Sequence, residues 1–111
     1  MKDYKIYLQH ILDEISYLQQ DSNGLKFNDF MKNETLKRSF VRSIEVIGEA
    51  VKNLPDDIRQ KNNSIPWKNI AGMRDKLIHH YFGIDYKMVW DVVLNKIPEL
   101  KNAVEKMLTD K

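Results

Sequence analysis

From Tyr4 to Leu54 the apolar residues of this chain recur at steps of three and four, a spacing that suits one face of a helix and no strand. Tyr4, Tyr7, Leu8, Ile11, Leu12, Ile15 and Leu18 follow one such stripe, which predicts a first helix over roughly residues 4–20 with Asp3 placed to cap its first turn. Asp21-Ser22-Asn23-Gly24 then gathers turn-forming residues, and Phe27-Asn28-Asp29-Phe30 reads as a short lead-in to the next helix. That second helix is predicted from Glu34 to Leu54, capped by Asn33 and stopped by Pro55, with Leu36, Phe40, Ile44, Ile47, Val51 and Leu54 on its apolar face. On its other side Arg38, Arg42, Glu45 and Glu49 form a charged stripe. Alternating charges at this spacing make either a solvated face or the wall of a dimer or active site.

The second half continues in the same period. Asp56 to Gln60 makes one short helix, and Asn62-Asn63-Ser64-Ile65-Pro66 is a loop in which Ser64 or Pro66 prepares the next start. Trp67 opens a third main helix along Trp67, Ile70, Met73, Leu77 and Tyr81, which is expected to fail near Gly83 in a C-terminal cap. Asp85 caps a last helix carrying Met88, Val89, Val92, Val93, Leu100, Val104 and Leu108, and Pro98 is expected to kink or split it. No segment has a strand period and no repeat is present, so the expectation is an all-α bundle in a single domain over residues 1–111.

Composition narrows what such a bundle does. With 42% apolar and 31% charged residues and a mean hydropathy of -0.55, the chain is able to bury one core and keep a polar surface. A chain of 111 residues buries only about two-thirds of its unfolded surface, so an oligomer interface is a plausible further source of stability. The net charge of +2 is too small to announce a nucleic-acid binder without local clustering. The absence of cysteine excludes disulfides, thiolate nucleophiles and cysteine zinc sites, and fits a reducing, cytoplasmic setting. No window approaches the ~18 apolar residues of a membrane span, and no export signal is evident, so no membrane is expected.

Chemistry concentrates in Arg74-Asp75-Lys76-Leu77-Ile78-His79-His80-Tyr81, where a permanent cation, an ammonium, two imidazoles and a phenol fall within about two helical turns. His79 and His80 are neighbours and point roughly 100° apart on an ideal helix, which argues against a shared metal ion, and nothing calls for a cofactor. Arg74 and Tyr81 share a face, whereas His79 stands about 140° from Arg74, so one ideal helix cannot gather all three. Either the last turn loosens before Gly83, or a second copy of the chain supplies part of the site.

The Arg74-x4-His79-x-Tyr81 pattern resembles the motif of HEPN proteins of the HepT toxin family. The likeness extends to Arg42-Ser43-Ile44-Glu45-Val46-Ile47-Gly48-Glu49-Ala50, to Ile65-Pro66-Trp67 and to the stretch from Met73 to Gly83, in order and spacing. What the resemblance implies is a HEPN-type antiparallel bundle of four to five helices, homodimeric, with ribonuclease activity on RNA. It implies further that this is the toxin of a type VII toxin-antitoxin pair, whose partner is a nucleotidyltransferase antitoxin of the MntA type that adenylylates the tyrosine matching Tyr81. Arg42 and Glu49 resemble positions lining the groove near the motif. After the motif arginine the family often has asparagine, where this chain carries Asp75; its charge would repel RNA unless it pairs with a cation.

The residue chemistry stands beside that resemblance. Cleaving RNA with its own 2′-hydroxyl needs a proton acceptor, a proton donor and a cation at the phosphorane, and no metal is obligatory. A histidine such as His79 takes either protonation state near neutral pH, and an arginine such as Arg74 grips phosphate with two parallel bonds. Tyr81 is either an amphipathic residue ending an apolar stripe or a regulatory one whose adenylylation would block RNA and oppose Arg74. His80 is a solvent-facing or phosphate-touching neighbour, His10 is structural or exposed, and Trp67 and Trp90 either stack on bases or pack in the core, the latter favoured by their place on or beside an apolar stripe. The competing reading is a non-catalytic helical module that partners a nucleotidyltransferase and presents its substrate.

Overall fold

The computed structural model describes residues 3–79 and 83–109, with Arg74, Ile78 and His79 described by their backbone. The first helix, α1 (Lys5–Ser22), buries Leu8, Ile11, Ile15 and Leu18. Asp3 serves its start, since the carboxylate accepts the Lys5 N–H at 3.0 Å, although Tyr4 is the boundary residue. A short α2 (Phe27–Lys32) leads into α3 (Glu34–Lys52), where the Asn33 side chain caps the helix by accepting the Leu36 N–H at 3.0 Å. Phe40, Ile44, Ile47 and Val51 of α3 are fully buried, and α1 is the element packed most extensively against them. The apolar period thus acts as expected: two long amphipathic helices cover each other and form the centre of the core.

Past Pro55 the chain makes α4 (Asp56–Lys61) and then α5 (Trp67–Ala71). Trp67 is buried, and its indole N–H reaches the carbonyls of Arg59 and Asn62, each at 3.1 Å, so the polar end of the ring is satisfied within the core. Trp90 joins an aromatic cluster with Phe30, at 5.1 Å between ring centres, and Phe30 stacks on Phe40 at 5.0 Å. Both tryptophans are packing residues.

The last helix runs without a break from Tyr86 to Thr109, so Pro98 does not split it, and a change of helical register falls just before the proline instead. It consists of α7 (Tyr86–Asp91), a π-helical turn (Val92–Lys96) and α8 (Ile97–Thr109). The Asp85 side chain caps α7 by accepting the Met88 N–H at 3.1 Å. The Ile97 N–H bonds to the Val92 carbonyl, five residues back, immediately before a proline that has no N–H to offer and whose ring crowds the preceding turn.

The third main helix departs from expectation. It breaks at Gly72, resumes as α6 (Met73–Leu77) and ends there rather than near Gly83. Ile78–His79 (β1) then pairs antiparallel with Gly83–Ile84 (β2), Ile78 opposite Ile84 and His79 opposite Gly83. Gly83 takes φ +82, open to glycine at little cost, and the Asp85 N–H closes the base of the pair on the Leu77 carbonyl at 2.8 Å. Two-residue strands leave no period to read in a sequence, and the architecture remains an all-α bundle. Among the described residues no helix is long and apolar enough to cross a membrane.

One buried cation ties α2, α3 and α7 together. Lys37 is 9% exposed; its ammonium donates to the Glu34 carboxylate at 2.9 Å and to the Met31 carbonyl at 3.4 Å, and lies 4.5 Å from the centre of the Tyr86 ring. That hydrogen bond, and then the charge of Lys37, hold the Glu34 carboxyl below its ordinary value of 4.5. A lowered folded-state value means that the contribution is complete above the unfolded value and is lost as pH falls through the folded one. The thermal midpoint is expected to fall below pH 4.5 partly for this reason, and Glu34→Gln to make that fall shallower. Identical pH slopes for the two proteins in thermal denaturation would contradict this assignment.

Candidate active site

The motif sits where α3 supports the break between α5 and α6. Gly48 of α3 faces the backbone of α5: a Cβ placed there would lie 3.3 Å from the Ala71 carbonyl oxygen and 3.6 Å from that of Ile70. A glycine therefore sets the depth at which the motif segment rests on the core. Leu77, 1% exposed, anchors the far end of α6, and the Lys76 N–H returns to the Gly72 carbonyl at 3.3 Å. Between those fixed points α6 carries Arg74, Asp75 and Lys76, the latter two exposed.

Beyond Leu77 the backbone changes from helix to strand, and this alters the geometry the motif can have. On a continuous helix each step turns the side-chain direction by about 100° and advances about 1.5 Å; in a strand it advances about 3.3 Å and alternates faces. Arg74 lies in α6 and His79 in β1 opposite Gly83, so the angle of about 140° that separated them on an ideal helix no longer applies. Of the two ways to reconcile the motif with one site, loosening before Gly83 is present in the backbone. His80 and Tyr81 lie outside the described residues.

Arg42 and Glu49, which resemble groove-lining positions, are both exposed on α3, and they come together with Tyr7 and His10 of α1 and with Asn53 along a groove of about 380 Å³. On α3, taking Gly48 as the direction of α5, Glu45 stands about 60° round the helix, Glu49 about 100° and Arg42 about 120°. The charged stripe is therefore neither the core face nor the face toward α5, but the surface that joins the motif side of α3 to the α1 side. Sequence reasoning left His10 without a role; its spacing of three from Tyr7 on the polar side of α1 was the signal available. A second, mostly apolar cleft of about 530 Å³ runs beside α6, with Met73 and Leu77 on one wall and Val92 and Leu100 on the other.

Comparison with known proteins bears on the whole of this arrangement. The family model described as ribonuclease HepT-like matches residues 11–107. A protein of Caldanaerobacter subterraneus subsp. tengcongensis, named as a candidate RNase, is 53% identical over 97% of this chain and 96% of its own length. A second candidate RNase, from Methanocaldococcus jannaschii, is 44% identical over 98% of this chain and 90% of its own. A protein of Thermococcus cleftensis named as a probable ribonuclease HepT is 39% identical over 96% of each chain. No solved structure matches. With the family model covering α3, the α5–α6 break and the Arg74-x4-His79 segment alike, the chain belongs to the HepT-like ribonuclease family.

Proposed function

We propose that this protein is a metal-independent endoribonuclease and the toxin of a type VII toxin-antitoxin pair, with Arg74 and His79 as its catalytic residues. The observation that carries the reading is the change from helix to strand between Arg74 and His79, within a segment covered by the ribonuclease family match. The backbone between the two positions is therefore not the straight helix on which they would diverge. In the reaction a base takes the proton of the RNA 2′-hydroxyl, the resulting oxygen attacks the adjacent phosphorus, and an acid protonates the departing 5′-oxygen. Arg74 binds the non-bridging oxygens and offsets the charge that builds on them.

A two-fold dimer doubles this set, so that one His79 acts as base and the other as acid. The apolar cleft beside α6, bordered by Met88 at 38% exposure, supports an interface close to the motif. If a mixed dimer holding a single intact His79 kept full activity per site, the shared-proton scheme would be wrong.

Tyr81, two residues beyond His79, is the regulatory position. Adenylylation of its phenol by a nucleotidyltransferase of the MntA type adds bulk and a negative phosphate to the motif whose arginine has to bind RNA. Expression of the chain alone is expected to arrest growth. Co-expression with the cognate nucleotidyltransferase restores growth, and intact-mass and peptide spectra then carry added AMP on Tyr81. Rescue with Tyr81 unmodified would remove the regulatory role, and unimpeded growth with intact cellular RNA would favour the non-catalytic partner module instead.

A further inference from the structure

The groove between α1 and α3 is outside the motif and is lined by Tyr7, His10, Arg42, Glu45, Glu49 and Asn53. Arg42 is exposed, with the half-buried Glu45 three residues away on the same helix. Across the groove the His10 ring is exposed and stands at 84° to Tyr7, with 6.5 Å between ring centres. At the C-terminal end the Asn53 amide nitrogen donates to the Glu49 carbonyl at 2.9 Å, which orients the amide and leaves its oxygen as an acceptor. The exposed Glu49 carboxylate is a second acceptor beside it.

We propose that this groove is a nucleotide subsite for the RNA strand that enters the Arg74–His79 site. Arg42 holds a phosphate, His10 and Tyr7 provide the stacking surface for a base, and Glu49 with Asn53 accepts hydrogen bonds from that base's exocyclic amino group. A volume of about 380 Å³ falls at the small end of ligand pockets and suits a single nucleotide. The Glu49 carboxylate, an acceptor with no donor of its own, discriminates in favour of cytosine or adenine over uracil, as carboxylates do toward the cytosine amino group. The groove lies on the side of α3 about 60–120° round from the face that meets α5, the helix that leads into the motif segment. The inference rests on the ribonuclease reading for its substrate but places specificity in residues outside the motif.

Binding and cleavage test it separately. A fluorescent RNA of about six nucleotides bearing 2′-O-methyl groups cannot be cleaved through its own hydroxyl, and its affinity is read by anisotropy. Arg42→Ala and His10→Ala are each expected to weaken binding about tenfold, in the range for one phosphate grip or one stacked base, with circular dichroism and thermal midpoint unchanged because both residues are exposed. Glu49→Gln introduces a donor and shifts the base preference at that position from cytosine toward uracil. On cleavable RNA of the same length the first two variants raise KM and keep kcat, while cleavage of a dinucleotide, too short to reach the groove, is unaffected. Unchanged binding in both variants would overturn the proposal, as would equal losses on the dinucleotide and the longer RNA. If the native protein binds the uncleavable RNA in an Arg42-dependent way but cleaves no RNA, the groove stands as a strand-binding site and the nuclease reading falls.

Discussion

Arg74→Ala and His79→Ala are each expected to lower RNA cleavage by about 10²–10⁴-fold, the usual scale for a positioned proton-transfer group or a transition-state cation. The loss should appear mainly in kcat, because a phosphorane carries more charge for Arg74 to meet than the ground-state phosphate does. Arg74→Lys is expected to recover only a small part of the activity, since an ammonium keeps the charge but not the two parallel bonds of a guanidinium. Combining the two alanine variants is expected to cost little more than the worse of the two, as groups acting in one step are strongly non-additive. Kinetics on a defined oligoribonucleotide check all four statements, and an Arg74→Ala protein with native kcat would remove the phosphate grip from the mechanism.

Gly48→Leu carries the largest expected effect on stability. Its side chain would enter the space between α3 and α5 where a bare Cβ already stands 3.3 Å from the Ala71 carbonyl oxygen. The obstructing atom is backbone and cannot rotate away, so α5 has to shift and the motif helix behind it moves too. Overpacking of this kind costs about 3 kcal/mol, which for a chain of this size lowers the thermal midpoint by roughly 10–20 °C. Gly48→Ala is a different case. The same tight contact opposes a gain of about 1 kcal/mol in helix propensity, and the two effects nearly cancel. A differential scanning series over glycine, alanine and leucine should therefore show a small first step and a large second one. Equal, small steps would mean that the α3–α5 contact yields easily and does not fix the motif.

Much of the fold is legible in the sequence. The stripes of α1 and α3 define the core, and Asn33 and Asp85 cap the helices they were expected to cap, while Pro98 is accommodated in a continuous last helix just after a π-helical turn. These features are local, and local chemistry decides them. The end of the motif helix was not readable, because Trp67, Ile70, Met73, Leu77 and Tyr81 keep a helical spacing past the point where the helix stops. The deciding interactions are tertiary: Ile78 and His79 pair with Gly83 and Ile84, and the Asp85 N–H bonds to the Leu77 carbonyl. Arg74 and His79 stood out as a motif, whereas His10 did not, because its meaning depends on a groove shared with another helix.

Incubation of the purified chain with total RNA in EDTA tests the central claim most directly, with the Arg74→Ala and His79→Ala proteins alongside. The account predicts that the native chain cleaves RNA without added metal and that each substitution abolishes most of the cleavage. RNA that stays intact until a divalent metal is supplied, or cleavage that persists in both variants, would contradict it.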